Sequence, residues 1–258
     1  MKVPAQKVLA VIATYNEAGN IAELIGKIRE QGCDVLVVDD NSPDGTGSIV
    51  EAMREQDPGV HVIHRSGKLG LGSACIAGFR FALDHGYDLV VEMDGDFSHD
   101  PSHLDAILGE ARAHPDSIVI GSRYVKGGRI SGWGWHRKLL SLGASWYLRV
   151  LLGVGIHDYT SGYRCYSREA LSRIGLSRVL AQGYAFLPEM AYRASSNGVS
   201  MREVPIHFRD RKIGESKVGL HEVVQSLLVP WRIRFVQSKN GPQEAWRAES
   251  VAAPHRKP

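Results

Sequence analysis

Leu89-Val90-Val91-Glu92-Met93-Asp94-Gly95-Asp96-Phe97-Ser98-His99 is an apolar run that stops in two carboxylates separated by one glycine. The run reads as a buried strand that delivers Asp94 and Asp96 to its carboxyl end. In open α/β sheets ligands bind at that edge. Two carboxylates so close repel one another unless something positive sits between them. A hard divalent cation, Mg²⁺ or Mn²⁺, with positions left for phosphate oxygens, would relieve the repulsion. Gly95 would let the backbone approach a ligand closely. Asp-Gly-Asp is also ordinary surface-turn chemistry, so the motif alone leaves both readings open.

Working outward, the preceding chain repeats one unit. Lys7–Ala13 is a continuous apolar run, hence a buried strand. The polar loop Thr14-Tyr15-Asn16-Glu17 follows, and Asn20 is placed to cap a helix with Ile21, Leu24, Ile25 and Ile28 on one face and Gly32 at its end. Asp34–Val38 is a second buried strand, running into Asp39-Asp40-Asn41-Ser42-Pro43-Asp44-Gly45-Thr46; Thr46 or Ser48 starts the next helix. Val60–His64 is a short third strand. Arg65–Gly72 is a flexible glycine-rich loop, followed by a helix from about Ser73 to His85. After the acidic strand, Asp100-Pro101 reads as cap and first helical residue, with Leu104, Ile107, Leu108 and Ala111 turned inward, and Ser117–Gly121 is another strand. Strand and helix alternate four times before a final strand. That predicts an α/β fold with a mostly parallel, doubly wound sheet and helices on both faces.

The texture changes after Gly121. Ser122–Trp135 is a glycine- and aromatic-rich loop, and His136–Leu152 is apolar on one face through Leu139, Leu142, Trp146, Tyr147 and Val150. His157–Arg164 is a polar turn leading into a short strand; a helix spans about Ala185–Asn197; Val199–Phe208 reads as an edge strand, where Pro205 is permitted. Arg209–Lys217 is a charged loop. Leu220–Val236 is amphipathic, with Pro230 as a kink or break. Ser238–Pro258 has little apolar content and reads as disordered.

Composition sets the bounds. A chain of 258 residues with 43% hydrophobic content suits one large domain, and a net charge of +3 is too small to imply nucleic acid. Cys33, Cys75 and Cys165 lie far apart without metal-ligand spacing, so they read as reduced thiols of a cytosolic protein. Val8–Ala13 is too short for a signal sequence, and no stretch approaches the ~20 apolar residues of a membrane span.

Glu17, Asp39 with Asp40, and Asp94 with Asp96 each follow a buried strand, and parallel strands would bring them to one edge. Acidic residues cannot hold a phosphate unaided, so a metal or the loop cations Lys68, Arg123, Arg211 and Lys217 must take part. Asp40 could accept from a ribose hydroxyl or base N–H, and Tyr15 could stack on a base. Gly67–Gly72 (GKLGLG) has neither the dinucleotide-binding spacing nor the Walker arrangement.

These motifs resemble a known family. Val11–Glu17 (VIATYNE), Val37–Thr46 (VVDDNSPDGT), Lys68–Gly72 (KLGLG) and Met93–Asp96 (MDGD) are similar to those of inverting GT-A-type glycosyltransferases. Gly121–Tyr124 (GSRY), Thr160–Arg164 (TSGYR) and Asp210–Lys217 (DRKIGESK) narrow the resemblance to dolichol-phosphate mannose synthase and its bacterial polyprenyl-phosphate relatives. The resemblance implies transfer of mannose from GDP-mannose to a polyprenyl phosphate with inversion. It implies donor contacts at Ala13, Tyr15, Glu17, Val38, Asp40, Asp94, Gly95 and Asp96, a divalent metal at Asp96 with Asp94 and Ser98 near it, and Arg123, Arg211 and Lys217 on the phosphates; Asp96, Arg123, Arg211 and Lys217 carry the catalysis. Three positions depart from the family: Ala13 replaces its common proline, Gly95 its alanine, and Ser98 the metal-binding glutamine of some relatives.

A lipid acceptor implies contact with a bilayer. Residues 1–218 are then the catalytic domain, 136–152 a membrane-interface helix, 219–237 an amphipathic helix for membrane or partner, and 238–258 a tail. Trp231-Arg232-Ile233-Arg234-Phe235 interleaves aromatics with arginines, as interfacial segments do. The expected location is the cytoplasmic face of a membrane, held peripherally or by an integral membrane partner. The rival readings are another donor such as UDP-glucose on the same fold, and a non-catalytic nucleotide-binding subunit.

Overall fold

In the computed structural model, residues 6–179, 183–210, 230, 231 and 234 are described. The axis of the main sheet is β1 (Val8–Thr14), whose side chains fill both faces of a strand covered on both sides. Leu9 and Val11 point into one core and Ala10 and Ile12 into the other. Around it come α1 (Ile21–Arg29), β2 (Asp34–Asp39), α2 (Thr46–Gln56), β3 (Val60–His64), α3 (Leu71–Asp84) and β4 (Leu89–Asp94). Then follow α4 (Leu104–Ala113), β5 (Ser117–Ser122), β6 (Arg129–Ser131), α5 (Trp135–Leu152), β7 (Arg164–Ser167), α6 (Arg168–Ile174), α7 (Phe186–Ser196), β8 (Ser200–Pro205) and β9 (His207–Arg209).

The main sheet runs β3-β2-β1-β4-β7-β5-β8, and β6 pairs with β9 in a separate two-stranded sheet. All main-sheet pairings are parallel except those of β7, which is antiparallel to both β4 and β5. The sheet is therefore mostly parallel, as expected. Helices α1, α2 and α4 cover one face, while α3, α6, α7 and the end of α5 cover the other. Close approach is built in at Gly78, where an added Cβ would stand 2.3 Å from Val11 Cγ1, so α3 lies flush on β1.

The chain leaves β1 toward β2 and β3, then returns to β4 on the other side, so the switch point lies between β1 and β4. Ala13 is in register with both Val38 and Asp94. The three strands thus end level, and everything that follows them converges on one edge.

Several local expectations are corrected. Asn20 makes no side-chain cap; its Nδ2 donates to Glu17 Oε2, and the Glu17 carbonyl accepts from the amides of Asn20 and Ile21. Helix α3 begins at Leu71 rather than Ser73, because Gly70 turns the chain at φ +92°. The expected edge strand over Val199–Phe208 is two strands. Pro205 offers no N–H to extend β8, and Ile206 crosses between sheets, donating to Ser122 O and accepting from Arg129 N. The loop Ser122–Trp135 contains β6, and α6, started by the Ser167 hydroxyl accepting the Ala170 amide, was not anticipated.

The amphipathic stretch 219–237 and the tail 238–258 lie outside the described residues, apart from three positions. Trp231 Nε1 donates to Tyr147 Oη on α5 at 2.8 Å, and Arg234 reaches Tyr192 Oη on α7 at 3.4 Å.

Candidate active site

The β1 and β2 loops are laced together. Asp39, buried, accepts from Thr14 Oγ1 at 3.0 Å, Ser42 N at 3.0 Å and Ser42 Oγ at 2.5 Å. Asn16 N donates to Ser42 Oγ and Glu17 N to Thr46 Oγ1. Asn16 and Asn41 both adopt positive φ, which asparagine tolerates better than most residues. The edge is thus held by its own loops, with Asp39 as their organiser.

Asp40 stands beside them in a different role. Its carboxylate accepts from Arg65 Nη1 at 2.5 Å and from the Gly70 amide at 3.0 Å. Arg65 also reaches Gly70 O and Ser73 Oγ. The glycine-rich loop, expected to be flexible, is therefore pinned to the end of β2. The pinned loop brings Lys68 Nζ to 4.4 Å above the Tyr15 ring, joining two of the donor-site candidates.

The acidic turn follows β4. Asp96 is 7% exposed and its Oδ1 accepts from Ser98 N at 3.0 Å, whereas the Asp94 side chain is 45% exposed. A Cβ on Gly95 would lie 3.3 Å from Glu17 Cγ and 3.4 Å from Thr14 Cγ2. Glu17 therefore sits against the Asp94–Asp96 turn. Ala13, Val38, Asp94, Gly95, Glu17 and Asp96 come to one edge. No three His, Cys, Asp or Glu side chains form a metal cluster among the described residues.

Within electrostatic reach of Asp94 lies Arg123. Its Nε and Nη2 grip Asp158 at 2.7 and 2.6 Å, its amide donates to the same carboxylate at 2.9 Å, and Nη2 also reaches Thr160 Oγ1. The rings of Tyr124, Trp133 and Phe208 surround the guanidinium at 5.3–5.4 Å. Burial disfavours the charged guanidinium, but pairing with Asp158, and Asp94 at longer range, raise its pKa above the usual value. Burial would likewise raise the Asp158 carboxyl, but Arg123 overrides it and holds the carboxyl below the usual range. Arg123 is thus a caged cation near Asp94. Arg137 on α5, one-third exposed, stacks at 4.2 Å on the other partner of that cage, Trp133, and contacts Asp210 at 3.2 Å. Asp210 opens the charged run; Arg211 and Lys217, further along it, lie outside the described residues.

Sequence reading gave no role to Asp158, Arg137 or His99. Asp158 lies 35 residues from its partner, and no local spacing announces such a pair. Arg137 shares α5 with Lys138 and Arg149, and spacing alone does not single it out.

The small β6–β9 sheet docks on the turn after Ser98 through His103, whose Nε2 accepts the His207 amide at 3.0 Å. Burial lowers His103 below its ordinary 6.5. The neutral ring's contribution is therefore present above about pH 6.5 and lost as pH falls through it. His103→Gln, whose side-chain oxygen can accept the same amide, should flatten that acid limb. Tm measured at pH 5.5 and 7.5, compared between wild type and variant, checks this.

Residues 9–175 match the model of glycosyl transferase family 2. The chain belongs to glycosyl transferase family 2. It is 46% identical over 237 residues to a polyprenol monophosphomannose synthase of Mycolicibacterium smegmatis, covering 90% of this chain and 89% of that protein. It is 45% identical over 215 residues to an undecaprenyl-phosphate mannosyltransferase of Micrococcus luteus, covering 83% and 88%. Among solved structures, the mannosyltransferase PcManGT of Pyrobaculum calidifontis, in complex with GDP-Man and Mn²⁺, superposes with a TM-score of 0.57 over 94% of this chain and 66% of that one, at 20% identity. That likeness concerns the fold. As a family 2 glycosyltransferase, the chain is an enzyme that transfers a sugar, and the level ends of β1, β2 and β4 are the GT-A edge expected of it.

Proposed function

We propose that this glycosyltransferase moves mannose from GDP-mannose to a polyprenyl monophosphate, with inversion, yielding a β-mannosyl phospholipid and GDP. The observation that carries the reading is an acidic turn at the end of β4 within electrostatic reach of a caged Arg123, in a chain 46% identical to a polyprenol monophosphomannose synthase over nine-tenths of both proteins. Tyr15, Glu17, Asp40 and Lys68, with the backbone at Ala13, Val38 and Gly95, would hold the nucleotide and its diphosphate. Arg123 and Arg137, joined by Arg211 and Lys217, would hold the phosphates of donor and acceptor.

The hard carboxylate oxygens of the turn suit Mg²⁺ or Mn²⁺, which share their coordination with substrate phosphates. Asp96 and Asp94, with Ser98, would hold the ion; when bound, it offsets charge on the leaving diphosphate. The acceptor phosphate oxygen forms a bond to the anomeric carbon as the bond from that carbon to the GDP oxygen breaks, its electron pair leaving with GDP. The attacking phosphate is already an anion, so no strong general base is required. The protein's part is to bring two like-charged groups together and hold them aligned.

The test is transfer of label from GDP-mannose to a polyprenyl phosphate in the presence of Mn²⁺ or Mg²⁺. Label should enter the organic phase, disappear with EDTA and return to water in mild acid. Label from UDP-glucose alone would overturn the donor; no transfer from any donor, with nucleotide still bound, would favour the non-catalytic subunit.

A lipid acceptor calls for a membrane face, and α5 supplies a surface of the right chemistry. Trp135 is 74% and Trp146 67% exposed, with Leu139, Leu140, Leu142 and Val150 also in the open. No helix among the described residues is long and apolar enough to cross a membrane. We place α5 in the interface plane of the cytoplasmic face, with the 219–237 stretch as its companion or as a site for a membrane partner. Leu139→Ser with Trp146→Ser should cut sedimentation with anionic phospholipid vesicles several-fold while leaving Tm unchanged; unchanged sedimentation would sink the assignment.

A further inference from the structure

The turn that carries Asp94 and Asp96 is closed by the side chain of His99. Strand β7 pairs with β4 only as far as Glu92↔Arg164. Beyond that point the Asp94 amide donates to His99 Nδ1 at 3.0 Å. His99 is 2% exposed; its ring stacks on Tyr163 at 5.0 Å and meets the edge of Phe208 at 5.8 Å. A backbone amide always carries its hydrogen, so Nδ1 must accept and the ring proton of the neutral imidazole sits on Nε2. Asp94 Oδ2 stands 3.6 Å from the same nitrogen, too far for a hydrogen bond.

Inside this closure the chain is under constraint. Phe97 adopts φ +62°, a conformation that bulky side chains rarely take. Its ring packs against the core on the α1 face, and Lys27 Nζ lies 5.0 Å over it. Ser98 N is bound to Asp96 Oδ1. The span from Asp94 to His99 is thus fastened at both ends and tightened in the middle. An unusual backbone angle persists only where the surroundings over-determine it.

We propose that His99 is a positioning residue of the transferase site: by accepting the Asp94 amide it sets the pitch of the Asp94–Ser98 turn and aims both carboxylates at the donor diphosphate and its cation. The inference rests on the donor-site assignment made under Proposed function. It separates two things the ring does. An apolar side chain would pack against Tyr163 and Phe208 as well as an imidazole. Only the acceptor role needs a polar side chain there.

That separation gives the test, on the full chain. His99→Leu removes ring and acceptor; His99→Asn removes the ring but stands its Oδ1 where Nδ1 stood. Both should lower Tm by similar amounts. His99→Leu should weaken calorimetric binding of GDP with Mn²⁺, and lower kcat for mannose transfer, each by about 10–100-fold, as loss of a supporting hydrogen bond behind a metal ligand does. His99→Asn should retain most of both. Two-bond ¹H–¹⁵N spectra of the wild type should show an unprotonated Nδ1. A leucine variant that binds and transfers like the asparagine variant overturns the role, as does a protonated Nδ1. Wild type that binds no Mn²⁺–GDP overturns the donor site itself, and the role with it; the two failures are told apart by the wild-type titration.

Discussion

Asp96→Asn should all but abolish mannose transfer and leave the fold intact. Asparagine keeps the shape of the side chain and an oxygen that can accept the Ser98 amide, so the turn at 3.0 Å survives. What disappears is a buried negative charge at the end of β4. On the proposed reading that charge would hold a divalent cation against the leaving diphosphate, and loss of a preorganised electrostatic partner costs on the order of 10²–10³-fold in rate. Asp94→Asn should cost less, because Asp94 is about half exposed and its charge is shared with solvent. The readouts are kcat for label transfer, Mn²⁺-dependent GDP binding, and Tm. Transfer at the wild-type rate by Asp96→Asn would remove Asp96 from the chemistry. Lost transfer with a lowered Tm would mean that the charge serves folding instead.

The acidic edge is legible in the sequence because its signals are local. Apolar runs at 8–13, 34–38 and 89–93 are each followed within four residues by a carboxylate, and alternation with helices makes the strands parallel, so the carboxylates must share an edge. The register of Ala13 with Val38 and Asp94 follows from that order. Where pairing is non-local, the signal fails. Nothing in Arg164-Cys165-Tyr166-Ser167 announces that four residues will invert direction and wedge between β4 and β5. Arg164 is fully buried because its guanidinium holds the carbonyls of Tyr159, Ser161 and Leu187, three acceptors no spacing rule connects to it. Asp40 reads as a nucleotide acceptor, yet the structure shows its carboxylate holding Arg65 and Gly70, so a residue can occupy the right edge while its first duty is to hold a loop. The basic half of the site is the less legible half: basic residues on loops look alike until a partner such as Asp158 distinguishes one of them.

That partner sets the second large effect. Asp158→Ala should lower stability by about 3–5 kcal/mol, the usual consequence of stranding one member of a buried ion pair. Asp158 is fully buried and takes three hydrogen bonds from Arg123, two from its side chain and one from its amide. Its own amide is held by Glu203 on β8 at 3.0 Å, so the pair ties the end of β5 to the 157–160 turn and the sheet edge. For a domain of this size such a loss is on the order of 10 °C in Tm. Transfer should fall further than stability accounts for, because Arg123, freed from Asp158, no longer faces Asp94 from inside its cage of Tyr124, Trp133 and Phe208. Arg123→Met with Asp158→Asn separates the two effects. Removing both charges while an amide oxygen of the same size still accepts the Arg123 amide should recover most of the Tm, since neither ion is then left unpaired. It should not recover transfer, because the cation itself is gone. A double variant that is stable and fully active would show that Arg123 serves the fold alone, and the burden of gathering the phosphates would pass to Arg137 and the charged run that Asp210 begins.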